Sequence, residues 1–180
     1  MAFMNARKRN KKITYIIVAL VSAGLLITTI PSIGSFVANN SSYGTSNARA
    51  VSDFQAGMDL VQRGKDKQAE VKFDAAIKGF EETLKADPEN LQVLGDLATA
   101  HFYRGNVDKA IELAKQALEI EPKYTNVRRN YAIYLFYGKN DPVEALKQLD
   151  MIEKGDVNYE SAQQLKAGIN AELMQPPPKK

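Results

Sequence analysis

Catalytic and metal-binding chemistry draws mostly on cysteine, histidine, paired carboxylates and glycine-rich phosphate loops. None of the 180 residues is cysteine, which removes disulfides, thiolate nucleophiles and thiolate metal sites. One histidine, His101, leaves no histidine pair for a metal. Carboxylates can serve as acid and base. The acidic runs Glu81-Glu82 and Glu119-Ile120-Glu121, however, belong to helix surfaces that periodicity turns toward solvent. No glycine-rich phosphate loop occurs, and Gly57 and Gly64 suit a close helix crossing and a turn instead. The expectation is a protein that is not an enzyme, with no catalytic residues, no cofactor and no metal.

Charge points the same way. Lysine and arginine number 24 against 21 acidic residues. Five of the basic residues, Arg7, Lys8, Arg9, Lys11 and Lys12, fall within residues 1–12, which hold no acid. Without those five, 19 basic residues face 21 acidic ones, a balance of −2. The remainder therefore has no basic surplus to neutralise phosphates, and nucleic acid is not an expected partner.

The elements that would position any site begin after an apolar run. Residues 13–30, ITYIIVALVSAGLLITTI, carry no charge. As a helix they would span roughly 27 Å, close to the ~30 Å hydrocarbon core of a bilayer. Pro31 ends the run. The basic tail before it places the N-terminus in the cytoplasm by the positive-inside rule. The segment reads as an uncleaved signal-anchor helix, giving a single-pass protein of a bacterial cytoplasmic membrane with its domain outside the cytoplasm. The alternative is a cleaved signal peptide and a secreted domain, with Ser32-Ile33-Gly34 as the small-x-small site. Residues 31–50 are rich in Ser, Asn, Gly and Thr and read as a flexible linker. The folded domain is expected over 51–174, followed by a free tail, QPPPKK, at 175–180.

From residue 51 onward the chain repeats itself. In the stretch 91–124, Leu94 and Leu97 are large apolar residues of a first helix, and Ala98 is a small one. Gly105-Asn106 makes a turn, Ala110 and Ala117 are small residues of a second helix, and Pro122 closes the unit. Small residues on both helices let the backbones approach, and leucines fill the space around the crossing. This stretch resembles the 34-residue tetratricopeptide (TPR) repeat along its whole length. An upstream copy has Gly57, the turn Gly64, then Ala69, Phe73 and Ala76, with Pro88 arriving seven residues late. A second helix lengthened to about 66–86 accounts for the delay; the other register places Ala76 and Phe80 at the consensus positions. A downstream copy has Tyr131 and Ala132, then a turn at Gly138-Lys139-Asn140 with one extra residue. Asp141 is its N-cap and Pro142 its first helical residue. Ala145, Leu149 and Ile152 then line one face. A last amphipathic helix over 157–173, with Tyr159, Ala162, Leu165, Ile169 and Leu173 inward, would cap the stack. The fold expected is all-α: about three TPR helix pairs with a C-terminal capping helix, preceded by one transmembrane helix.

The resemblance implies that the first helix of each pair lines a concave groove for an extended peptide or partner helix. By repeat position the groove residues would be Phe54, Met58, Val61 and Gln62 in the first repeat, and Gln92, Thr99, Phe102 and Tyr103 in the second. The third would supply Asn126, Arg129, Ile133, Phe136 and Tyr137. The groove would be aromatic and apolar with Arg129 as its cation, although the same aromatics also suit packing between pairs. Tyr124, Tyr131 and Tyr134 read as packing residues, and His101 stands where the family places a core aromatic. TPR co-chaperones that grip a C-terminal carboxylate use lysines, arginine and asparagines on three first helices. Here those places hold Phe54, Met58, Asp96, Asn126 and Asn130. The positive charges are missing and Asp96 would repel a carboxylate. The function expected is a membrane-anchored adaptor that docks a protein or peptide partner during assembly of an envelope complex. The alternatives are a chaperone-like holder of exported chains and an organelle-surface import receptor.

Overall fold

The computed structural model describes residues 42–174. The expected basic tail, transmembrane helix and C-terminal QPPPKK lie outside the described residues. Among the described residues no helix is long and apolar enough to cross a membrane. They form α-helices α1 (Ser42–Gln62), α2 (Asp66–Ala86), α3 (Leu91–Arg104), α4 (Val107–Ile120) and α5 (Thr125–Ile133). A π-helical segment follows at Tyr134–Lys139, then α6 (Pro142–Asp150) and α7 (Tyr159–Leu173). The chain divides into two compact units, 1–79 and 80–180.

In the first unit α1 and α2 meet through small residues. A Cβ on Gly57 would stand 2.7 Å from the Phe73 ring, and one on Gly79 would stand 2.8 Å from the Ala50 Cβ. Lys72 pairs with Asp53 at 2.7 Å, and the Phe54 and Phe73 ring centroids lie 5.7 Å apart. The turn between the helices is at Gly64, whose φ of +68° is left-handed. Helix α2 ends at Ala86. The register with a lengthened second helix is the one adopted. The linker expectation is corrected: residues 42–50 are helical. The cause is the length of α2, which supplies Gly79 as a surface for Ala50, only 1% exposed. The polar composition of 42–50 conceals that anchoring contact.

The second unit contains the middle repeat in the form the spacing implies. The side chain of Asn90 accepts from the Val93 N–H at 3.1 Å and starts α3. Gly105 ends it at φ +92°, its N–H returned to the carbonyls of His101 and Phe102. Ala98, Ala110, Ala114 and Ala117 are fully buried where α3 and α4 pack, with Leu94, Leu97 and Leu113 around them. Each large apolar side chain so buried contributes about 1.5–3 kcal/mol.

The downstream repeat departs from the middle one in a single feature. From the start of its first helix to the start of its second, the middle repeat takes 16 positions (91 to 107) and the downstream repeat 17 (125 to 142). The extra residue is taken up by a wider π-helical turn rather than by a longer loop. The expected turn at Gly138-Lys139-Asn140 is thus corrected: Gly138 and Lys139 remain helical, and Asn140 takes the left-handed conformation at φ 57°. Asp141 then accepts from the Glu144 N–H at 3.0 Å with Pro142 in the first turn. Ala145, Leu149 and Ile152 are buried, as are Ala162, Leu165 and Ile169 of α7. Leu173 is 54% exposed rather than inward; it is the last residue of the helix, one turn past the buried Ile169.

A polar face on the first helices of the second unit as candidate functional site

Residues 92, 96, 99 and 103 recur at helical spacing along one face of α3. Tyr124 and Tyr134 bond this face and Arg129 lies by Tyr103, while Asn126 and Asn130 of α5 and Tyr137 of the π-helical segment follow at helical spacing. The polar atoms are linked in a chain. The Tyr124 hydroxyl donates to Gln92 Oε1 at 3.2 Å, and Gln92 Nε2 donates to both Asp96 carboxylate oxygens at 3.2 and 3.1 Å. Further along, Thr99 donates to the Gly95 carbonyl at 2.8 Å and bonds the Tyr134 hydroxyl at 2.8 Å. With its proton already committed, Thr99 accepts from Tyr134.

Burial shapes the electrostatics of this face. It pushes the Asp96 carboxyl up to about 6, against the opposing pull of the Gln92 hydrogen bond. Burial also raises the phenols of Tyr103 and Tyr134. Tyr137 is pushed up to about 12, by burial first and then by the charge of Glu172. The Arg129 guanidinium is lowered by burial, which its proximity to Tyr134 and Tyr103 opposes.

The expected groove residues separate into two groups. Gln92 is exposed, and Thr99, Tyr103, Asn126 and Tyr137 are half-buried; these stay within reach of a partner. Phe102, Arg129, Ile133 and Phe136 are 5–7% exposed instead. Phe102 stacks on Tyr134 with centroids 4.8 Å apart, and Phe136 lies edge-on to Tyr137 at 4.7 Å. Arg129, expected as an open cation, is held under the face with the tyrosines and reaches Asn130 at 3.5 Å. The face is therefore polar over an aromatic floor, not aromatic and apolar. Phe54 and Met58 are half-buried in the first unit. His101 is packed, 8% exposed, with Asn106 Nδ2 at 3.3 Å from its Nδ1. Asp96 is the residue absent from the expected groove set. Its position was legible from the spacing, one turn after Gln92, but its setting as a half-buried acid was not.

A second surface lies elsewhere in this unit. A cleft of about 550 Å³ is lined from α4, α5, α6 and the turn before α6, with Lys115, Arg128, Tyr131 and Glu144 among its walls. Arg128 and Glu144 in it have partners within the unit. Arg128 donates to the Pro122 carbonyl and to Gln148 Oε1 at 2.8 Å, and Gln148 donates to Glu144 at 2.7 Å. These bonds fasten the closing proline of one repeat to the second helix of the next. Among the described residues no group of acids and histidine could hold a metal.

The model of a tetratricopeptide repeat family matches residues 67–114 and 102–169. Among solved structures, the chain is similar to the first TPR of Spaghetti (RPAP3) bound to the HSP90 peptide SRMEEVD. Identity is 20%, with 72% of this chain and 98% of that one covered, at a TM-score of 0.50. It is also similar to the first TPR domain of the human RPAP3 protein, at 18% identity over 71% of this chain and 94% of that one, TM-score 0.49. The first of these likenesses, at 20% identity, shows the helical fold alone. The two family matches together run from 67 to 169, more than half of the 180 residues, and the chain belongs to the tetratricopeptide repeat family.

Proposed function

We propose that this protein is a membrane-anchored adaptor that binds a protein or peptide partner through the α3–α5 face. The observation that carries the reading is the half-buried set Asp96, Thr99, Tyr103, Asn126 and Asn130, beside exposed Gln92. These groups are held in place by hydrogen bonds yet sit at the rim of the core rather than inside it. Rigid polar and aromatic groups of this kind supply orientation and affinity without a large ordering cost on binding. No constellation of nucleophile, base and orienting group accompanies them among the described residues, so the reading is binding rather than catalysis.

One relative by fold carries an HSP90 peptide ending in EEVD. The equivalent ligand suits this chain poorly, because Asp96 places a negative charge on the face and Arg129 is buried beneath it. The apolar run at 13–30 and its basic flank support an anchor, with the TPR domain outside a bacterial cytoplasmic membrane. Assembly of an envelope complex fits that placement.

Photo-crosslinking in cells that produce the protein tests the reading, with the reactive group at position 126 on the face and, as control, at exposed position 112 on α4. One dominant partner captured from 126 and not from 112 is expected. Equal capture from both positions contradicts it, and a broad set of exported chains from 126 replaces the adaptor with a holder. For the anchor, protease added outside intact cells is expected to cut the domain; protection contradicts that orientation.

A further inference from the structure

We propose that the partner segment presents a lysine or arginine side chain to Asp96, an inference that rests on the peptide-binding reading of the α3–α5 face. Asp96 is a half-buried carboxylate whose bound donor is the neutral amide of Gln92. No basic side chain of the described residues forms an ion pair with it. Arg129, the cation on the facing helix, is instead engaged with Asn130 and lies by the Tyr103 and Tyr134 phenols. A partly desolvated charge without a counter-ion costs folding free energy that asparagine would avoid. A bound cation offsets that cost.

The surroundings fit a cation as well as the charge does. The hydroxyl of Tyr124 feels the Asp96 charge and is tied to it through Gln92, and the Tyr134 hydroxyl feels the same charge from the π-helical segment. The half-buried Tyr124 hydroxyl, which already donates to Gln92 and can still accept, sits with the carboxylate as an acceptor pair for an ammonium or guanidinium group, while Tyr134 stays buried beneath. The groups that act on Asp96 are thus Gln92 from α3 itself, Tyr124 from before α5 and Tyr134 from the π-helical segment, with Arg129 lying by the Tyr134 and Tyr103 phenols. Both phenols are raised further above neutral and stay protonated. The carboxyl titrates near 6 when the site is empty, and a bound cation would lower it. Binding is then strongest above that value and weakens as pH falls through it.

The test uses the full-length chain in detergent micelles and a phage-displayed library of random dodecapeptides. Selected peptides are synthesised and their affinities measured for wild type, Asp96→Asn and the groove-filling Asn126→Trp. The expected result is enrichment of Lys or Arg at one peptide position and binding abolished by Asn126→Trp. Binding should weaken roughly ten-fold in Asp96→Asn, as for loss of a partly buried ion pair. Wild-type affinity should also decline below pH 6 while that of Asp96→Asn stays flat. Peptides that Asn126→Trp abolishes but that lack a basic residue and ignore Asp96→Asn would overturn this inference and leave the binding face standing. Absence of binders, or binders indifferent to Asn126→Trp, would overturn both. Circular dichroism of each variant confirms that helix content is kept, and Thr99→Arg serves as the groove-filling change if Asn126→Trp does not fold.

Discussion

At neutral pH Asp96 is ionised where burial disfavours its charge, and this has a measurable consequence for folding. Its carboxyl stands near 6 in the folded protein against an ordinary value of 3.8. The folded state therefore holds the proton more tightly than the unfolded chain does. Stability from this group is fully present below about 3.8 and is lost as pH rises through about 6. Asp96→Asn is expected to stabilise the protein at pH 7 by about 1–3 kcal/mol, with the gain shrinking toward zero near pH 4. Urea unfolding at both pH values checks this; equal stabilisation at both would mean that the charge is not the cause. A residue that lowers stability and improves binding is the usual mark of a functional position. A second residue-scale test concerns Tyr134, whose buried hydroxyl bonds Thr99. Tyr134→Phe removes that bond and keeps the stacked ring, so a loss of about 0.5–1.5 kcal/mol is expected by the same measurement. Residue identity announced that Asp96 was the wrong charge for a carboxylate ligand. It did not announce that Arg129 would leave it unpaired, because facing positions on neighbouring helices look equally able to pair until the side chains are placed.

At the scale of elements, the π-helical segment is the feature that spacing alone half disclosed. One additional residue in the downstream repeat was visible as an insertion, and a longer turn was its simplest reading. The helix absorbs it instead, because Asp141 and Pro142 fix where α6 begins and Asn140 supplies the reversal. The wide turn brings Gly138 against α4, where a Cβ would meet Val107 Cγ1 at 2.4 Å. Gly138→Ala is expected to cost about 1–3 kcal/mol through overpacking. Val107→Ala should recover much of that loss in the double variant, which thermal unfolding of the four proteins would reveal. An additive result would place the cost in the backbone rather than in this contact. Asp141→Ala removes the N-cap of α6 and should cost about 1 kcal/mol. By contrast, the middle repeat was legible in full, since Ala98, Ala110 and Ala117 at a close crossing and Gly105 at a tight reversal leave few other folds for those residues. The helix over 42–50 was not legible, because it depends on Gly79 more than two dozen positions away.

For the whole molecule, family membership sets the architecture and leaves the ligand to the side chains on one face. Helix α7 bears on that architecture because it covers α6 with Ala162, Leu165 and Ile169. The loop before it is fastened to the start of α5 through Asp156 and Asn158, which bond Thr125 at 2.8 and 2.9 Å. Ending the chain at 156 is expected to uncover Leu149 and Ile152 and to lower stability by several kcal/mol, a large share of the roughly 5–15 kcal/mol typical of a domain. Dye binding to exposed apolar surface and a lowered unfolding midpoint would show it. Docking of a partner on the α3–α5 face is open to observation. Its most direct test is amide hydrogen exchange on the full-length chain with and without the partner captured from position 126. Slowed exchange confined to residues 91–104 and 124–139 is predicted, with α4 and α6 unchanged. Protection concentrated on α4 and α6, with the first helices unchanged, would contradict it and place docking at the cleft around Arg128.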